Sequence, residues 1–122
     1  DGLLRALRSA EEDLRRGRED SRSGRYAAAI SHFDAALAGA ELCLRDDWDL
    51  HARLLAGRAL ARQRSGLQEQ AMSDVQAALR IAPDSLEALL CRGVAAAQAG
   101  RLADALRDLE QVARGAPPDL GE

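Results

Sequence analysis

The chain has 122 residues, enough for one domain, and a net charge of −3 with acidic and basic residues interspersed along it. That balance argues against nucleic acid or an anionic membrane surface as the main partner. Alanine and leucine supply most of the 47% apolar content, β-branched residues are scarce and threonine is absent, so the composition favours helices and disfavours strands.

The first predicted helix covers residues 2–22. Its apolar residues recur at helical spacing and comprise Leu3, Leu4, Leu7, Ala10, Leu14 and Gly17. Ser23 and Gly24 end this helix, and a second one is predicted over residues 25–44. A third helix is predicted over residues 48–65, with Asp46 or Asp47 as a suitable N-cap.

Glycine and proline punctuate the second half of the chain. Gly66 and Gly100 follow apolar periodic segments, and Pro83 cannot continue a helix. Asp84 or Ser85 is placed to cap the helix after the proline. Three further helices are therefore predicted over residues 68–82, 86–99 and 102–114.

Residues of matched size recur in register along the predicted helices, and the second and third sets are separated by a constant interval in the sequence. The columns are a small residue (Gly17, Ala59, Gly93), a turn glycine (Gly24, Gly66, Gly100), a second small residue (Ala29, Ala71, Ala105), a bulky residue (Phe33, Val75, Leu109) and a third, mostly small position (Ala36, Ala78, Val112). Small residues let two helices cross at close range, and the bulky residue fills the space beside them. An unrelated helical bundle is the alternative interpretation.

These columns, and their interval of about 34 residues, resemble those of the tetratricopeptide repeat family. The resemblance implies an all-α fold, a right-handed superhelical stack of three antiparallel helix pairs with six helices. We expect one domain over residues 1–116, with repeats at approximately 10–45, 52–85 and 86–117, and a linker or tail at 117–122. Because the sequence starts at Asp1 without a methionine, we expect it to be a domain of a longer protein.

The first repeat departs from the family spacing. The interval from Gly24 to Gly66 exceeds the interval from Gly66 to Gly100 by about two helical turns of sequence. The simplest placement of the eight additional residues gives about one turn each to the second and third helices. The alternative is an ordered loop at 40–47. In the first case Trp48 would cover a leucine at the end of the second helix, Leu42 or Leu44.

The sequence contains no Gly-rich phosphate loop and no HExxH, GxSxG or CxxC motif. We therefore expect no enzyme activity, no catalytic residues and no cofactor. The dense polar cluster of Asp46, Asp47, Asp49 and His51 is better explained by capping and the helix dipole than by a metal, so no metal site is expected. His32 is expected at the surface.

Cys43 and Cys91 lie in predicted helix interiors and lack the spacing of a zinc site or a disulfide framework. We expect buried free thiols in a reducing, cytoplasmic compartment. No apolar run approaches the length of about 18 residues that a membrane helix needs, and no signal-peptide pattern is present. No membrane association is therefore expected.

In the tetratricopeptide family the first helix of each pair lines a concave groove that takes a peptide or a helix. The resemblance thus implies a protein-interaction module (adaptor, scaffold or co-chaperone-like) with a protein or peptide partner. The groove positions it assigns here are Leu14, Arg18, Arg22, Arg53, Ala56, Leu60, Arg64, Glu87, Leu90 and Val94. An apolar floor with arginines at its edges suits a segment with leucine-like anchors and some acidic residues. The alternative is that the arginines are merely solvated.

One subclass of the family binds the acidic C-terminal tails of Hsp70 and Hsp90 through a carboxylate clamp of lysine, asparagine and arginine. At the clamp positions this chain has Leu14, Arg18, Gly57, Glu87 and Cys91. Glu87 would place a negative charge beside the tail carboxylates, and at a separation of about 4 Å such a repulsion amounts to about 4 kcal/mol. We therefore expect no binding of these tails.

The alternative function is homo-oligomerisation through uncapped terminal helices. A helical array has open ends, and the last helix carries an apolar set that would need covering: Leu102, Leu106, Leu109 and Val112. The leucines at the start of the first helix could dock onto a neighbouring copy.

Overall fold

A computed structural model describes residues 2–43 and 48–115, and this part of the chain is helical throughout apart from short turns. The helices are α1 (Gly2–Arg22), α2 (Tyr26–Cys43), α3 (Trp48–Arg64), α4 (Gln68–Ile81), α5 (Leu86–Gln98) and α6 (Leu102–Gly115). Six helices and an all-α fold are thus confirmed, and every described helix end lies within one residue of its prediction. The predicted tail at 117–122 and the Asp46–Asp47 cap lie outside the described residues.

The same tight turn joins the two helices of each pair. Gly24, Gly66 and Gly100 have φ angles of 82°, 90° and 82°, in the left-handed region that favours glycine. After each glycine, the next backbone N–H donates back to a carbonyl of the preceding helix; in the first turn Arg25 N lies 2.8 Å from Asp20 O. This arrangement satisfies the last carbonyls of the first helix and reverses the chain.

The fifth helix begins with a side-chain cap. Ser85 Oγ accepts a hydrogen bond from the backbone N–H of Ala88 at 3.4 Å. Of the two residues predicted to cap this helix, Ser85 therefore does so, shortly after Pro83 ends the preceding segment.

The pairs α1/α2, α3/α4 and α5/α6 stack in chain order. The second helix of one pair packs on the first helix of the next, α2 on α3 and α4 on α5. The first helices also contact in sequence, α1 with α3 and α3 with α5, whereas the α1 and α5 backbones do not approach each other in the described part of the chain. The first helices therefore form one continuous wall.

The additional residues of the first repeat lengthen its helices. α2 has 18 residues against 14 in α4, and α3 has 17 against 13 in α5, so each is one turn longer than its counterpart. This confirms the predicted placement for the described residues. The alternative loop at 40–47 is wrong for residues 40–43, which are helical, while 44–47 lie outside the described residues. Trp48 is 60% exposed, and the leucines that it was predicted to cover, Leu42 (its side chain) and Leu44, lie outside what the structure describes.

The core follows the predicted columns. Ala71 and Ala105 are 0% and 4% exposed, as close helix crossing requires. Phe33 of α2 is fully buried, and its ring lies where a Cβ atom on Gly17 or Gly57 would sit, only 2.6 Å and 2.7 Å from those ideal positions. One phenylalanine thus fills the space that two glycines leave on α1 and α3.

In the second and third repeats, a buried aspartate of the second helix forms an ion pair with an arginine of the first helix at equivalent positions. Arg58 donates two hydrogen bonds to Asp74, at 3.0 Å and 2.8 Å. Arg92 donates two to Asp108, at 2.7 Å and 2.8 Å. This link was not predicted, although both partners recur at the interval that separates the last two turn glycines. Each pair ties the two helices of one repeat together.

The first repeat has a histidine near the position where the others have the buried aspartate. His32 is half-buried, with Nδ1 at 3.5 Å from an oxygen of Asp13 and Nε2 at 3.4 Å from one of Asp20. It was predicted at the surface, but these α1 carboxylates flank the imidazole and reduce its exposure. Here too the contact joins the first helix of the repeat to the second.

Candidate functional site

The wall of first helices carries a pocket of about 310 Å³. All three first helices contribute to it, and its lining comprises Arg18, Ser21 and Arg22 of α1, Gly57, Leu60 and Arg64 of α3, Glu87 of α5, and Phe33 beneath. Because α1 and α5 are separated by α3, the pocket exists only when the repeats stack.

Gly57 forms the floor of this pocket. A side chain at this position would meet the Phe33 ring, so the core requires a residue without a Cβ atom. The same requirement leaves the centre of the pocket without a side chain of its own. The packing of the core therefore creates room on the groove surface.

Positive charge exceeds negative charge in the pocket. Arg18 pairs with Glu87, and both side chains are about one-third exposed. Arg22 and Arg64 have no ion-pair partner among the described residues. The Ser21 hydroxyl is buried and has no hydrogen-bond partner there. A buried polar atom without a partner is costly, so this hydroxyl is an unsatisfied group beside the pocket.

The structure brings about half of the predicted groove residues together. Those lining the pocket are Arg18, Arg22, Leu60, Arg64 and Glu87. Leu14 and Ala56 are instead 5% and 0% exposed. They belong to the core, because the inward stripe of each helix passes through them, and their assignment to the groove wall is corrected.

The remaining predicted groove residues lie outside the pocket. Arg53 is exposed and pairs with Asp49 one turn earlier on α3. Leu90 and Val94 of α5 are half-buried. The prediction also omitted Ser21, although it follows Gly17 by one helical turn, which is the spacing that identifies residues on the same helix face.

Cys91 lies behind the pocket. Its backbone carbonyl accepts a hydrogen bond from Gln63 Nε2 at 2.8 Å, and its sulfur lies 3.7 Å from the carbonyl oxygen of Ala59. Burial, reinforced by the negative charge of Asp74 and opposed by Arg64, raises the pKa of the thiol from 9.0 to about 12. Cys91 is a free, buried thiol, as predicted; the Cys43 side chain lies outside what the structure describes.

We expect native Cys91 to resist alkylation by iodoacetamide at mildly alkaline pH, because the nucleophile is the thiolate and the folded protein holds the proton. Since the folded pKa of about 12 lies above the ordinary value of 9.0, the stability contributed by the thiol is fully present below the lower value and is lost as the pH rises toward the higher one. Peptide mapping by mass spectrometry measures labelling at Cys91, with urea-unfolded protein as the positive control. Equal labelling rates in native and unfolded protein would contradict the described burial.

A larger pocket of about 450 Å³ lies away from the groove, between α4, α5 and α6. Arg92 and Asp108, which line it, already bind each other there. Unlike the groove pocket, it does not involve the first repeat.

Over residues 2–43 and 48–115, no group of three or more histidine, cysteine, aspartate or glutamate side chains is placed to hold a metal ion. None of the helices described is both long enough and apolar enough to span a bilayer.

No protein-family model matches the sequence, and no curated protein matches it. Among solved structures, the chain is similar to the second TPR of Spaghetti (RPAP3) bound to the HSP90 peptide SRMEEVD. The two share 26% sequence identity and superpose with a TM-score of 0.71, over 95% of this chain and 94% of that chain. The chain has the tetratricopeptide repeat fold. Its six helices form three repeats, and α1, α3 and α5 are the first helices of these tetratricopeptide repeats.

Proposed function

We propose that this tetratricopeptide domain is a protein-interaction module that binds a peptide or helical segment of a partner in the groove formed by α1, α3 and α5. The observation that carries the proposal is the pocket shared by these three helices, with two unpaired arginines and a buried, unpartnered serine hydroxyl among the described residues. The similar RPAP3 domain was solved with a peptide, which supports the same use of the fold here.

The chemistry of the pocket indicates the kind of segment. Leu60 offers an apolar contact, while Arg22 and Arg64 offer guanidinium groups that bind carboxylates in a bidentate manner. We infer a ligand with a leucine-like anchor and acidic residues close to it, in which apolar burial supplies affinity and the charges fix register.

We further propose that the domain does not bind the acidic C-terminal tails of Hsp70 and Hsp90 tightly. The pair between Arg18 and Glu87 supports this proposal, since it uses one of the cations that a tail carboxylate would need. The repulsion expected from Glu87 alone, about 4 kcal/mol, is an upper bound, because Arg18 neutralises much of that charge.

Three further features are proposed: the bounds of the repeats, the general role of the domain and its cellular compartment. We place the repeats at approximately 10–45, 52–85 and 86–117 of one domain, which the three glycine turns support. We propose a non-catalytic adaptor or scaffold role, in which the chemistry of the groove rather than the fold itself selects the partner. The buried free thiol of Cys91 is compatible with a reducing, cytoplasmic compartment.

Homo-oligomerisation is not proposed. Leu102 and Leu106 are 70% and 59% exposed, whereas Leu109 and Val112 are half-buried within the domain. The predicted apolar set on the last helix is therefore partly used in the fold. The comparison with the peptide-bound RPAP3 domain gives self-association no support.

We expect Arg64→Glu to weaken peptide binding at least about tenfold, because it replaces an unpaired cation of the pocket with an acid. Ligands are first selected from a displayed random-peptide library on the wild-type protein, and dissociation constants are then measured by fluorescence polarisation. Arg8→Glu is the matched control, since Arg8 is an exposed α1 arginine away from the pocket. Binding in this groove would be contradicted if the two substitutions changed the dissociation constant equally, or if neither of them changed it.

A further inference from the structure

The groove contains an acid that belongs to the protein itself. Glu87 of α5 pairs with Arg18 of α1, although the backbones of these two helices do not approach each other and lie on opposite sides of α3. The pair thus links the first repeat to the third across the groove. Within the described chain it is also the one ion pair between these two repeats, and both of its residues line the pocket.

The groups around this pair would all favour an additional anion. Arg22 and Arg64 line the same pocket and carry no ion-pair partner within the described chain. The Ser21 hydroxyl, 7% exposed, lies in the lining with no hydrogen-bond partner. A carboxylate accepts charge-assisted hydrogen bonds from guanidinium groups, and these are stronger than the bonds that a neutral acceptor forms with them.

The shape of the pocket admits a carboxylate. Gly57 contributes no side chain, and the volume of about 310 Å³ exceeds what a single carboxylate requires. Arg18 is already paired with Glu87, so a ligand carboxylate can bind Arg18 only in competition with that residue.

We propose that Glu87 determines the specificity of this pocket by competing with ligand carboxylates for Arg18. The inference rests on the proposed groove function and adds the residue that regulates it. A ligand with one acid uses Arg22 and Arg64 and leaves the Arg18–Glu87 pair intact. A ligand with several adjacent acids must displace Glu87, and the groove rejects it. Neutralising Glu87 removes the competitor and frees Arg18.

The test compares wild-type protein with Glu87→Gln, using the acidic peptide SRMEEVD as the probe in fluorescence polarisation at low salt. We expect Glu87→Gln to bind it at least tenfold more tightly than wild type. Glu110→Gln is the matched control, because it makes the same charge change at an exposed position on α6. The same peptide with an amidated C-terminus separates the two sources of carboxylate: loss of the gain assigns the site to the terminal group, and retention assigns it to the side chains.

Two further variants guard the interpretation. Glu87→Ala should give the same gain if Glu87→Gln disturbs folding, which circular dichroism reports. Adding Arg18→Gln to Glu87→Gln should remove the gain, because the freed guanidinium group is then absent. The inference is overturned if Glu87→Gln changes affinity less than twofold, or if Glu110→Gln gives an equal gain. The groove function is tested separately, by the response of library-selected peptides to Arg64→Glu. If that response is seen while Glu87→Gln has no specific effect, the inference about Glu87 fails and the groove function stands.

Discussion

Phe33→Ala is expected to lower the free energy of unfolding by about 3–5 kcal/mol, because it removes a fully buried ring and leaves a cavity between α1, α2 and α3. Small domains are stable by about 5–15 kcal/mol in total, so the loss is a large fraction of the whole. Urea unfolding followed by circular dichroism measures it. Leu102→Ala is the control, since Leu102 is largely exposed and its truncation should change stability little.

The glycines that face Phe33, Gly17 and Gly57, allow a second test of the same packing. In the wild-type protein, Gly57→Ala should destabilise by about 1–3 kcal/mol, because the new Cβ lies 2.7 Å from the ring. In the Phe33→Ala background the clash is gone, and the same substitution should stabilise by up to about 1 kcal/mol through helix propensity. A double-mutant cycle measures this reversal of sign. Additive effects would show that the ring and the glycine are not packed together.

Asp74→Ala is expected to destabilise the domain by about 3 kcal/mol or more, because Asp74 is buried and accepts hydrogen bonds from both Arg58 and Arg62. Removing the carboxylate leaves the largely buried Arg62 without its acceptor and Arg58 with only the half-exposed Asp34, which costs more than the pair contributes. Thermal and urea unfolding of the variant give the change in stability.

The other aspartates supply graded comparisons. Asp108→Ala should cost less, about 1–2 kcal/mol, because its partner Arg92 is half exposed and water can replace the lost acceptor. Asp34→Ala removes a different carboxylate from Arg58, one that is itself half exposed, and should cost under about 1 kcal/mol. An equal loss in all three variants would contradict the assignment of the effect to burial.

The positions of the helices could be predicted from the sequence because their signals are local. Glycine at a left-handed turn, proline after a helix and apolar residues at helical spacing act over a few residues and need no knowledge of the partner surface. The columns of matched small and bulky residues also predicted which residues pack between helices. Ala71 and Ala105 were predicted to lie against neighbouring helices and are buried, since only a thin side chain permits the close crossing.

The candidate site was harder to predict, because neighbouring positions on one helix face differ in whether another helix buries them or leaves them at the groove surface. Arg18 and Arg22 line the pocket, whereas Leu14 and Ala56 are buried although they belong to the first helices as well. The way α1 and α3 pack together decides this, with the Phe33 ring lying against a glycine of each helix. Periodicity identifies the apolar stripe of a helix, but it does not show which residues at the edge of that stripe are buried.

By itself, then, the sequence determined the helices, their pairing and the repeat architecture, because each depends on residue size at fixed spacing. Only the tertiary structure decided that Arg18 reaches Glu87 across 69 positions of chain and that Ser21 is left without a partner in the part of the chain described. Both depend on how three repeats stack, and a contact between the first and third repeats leaves no periodic trace in the sequence.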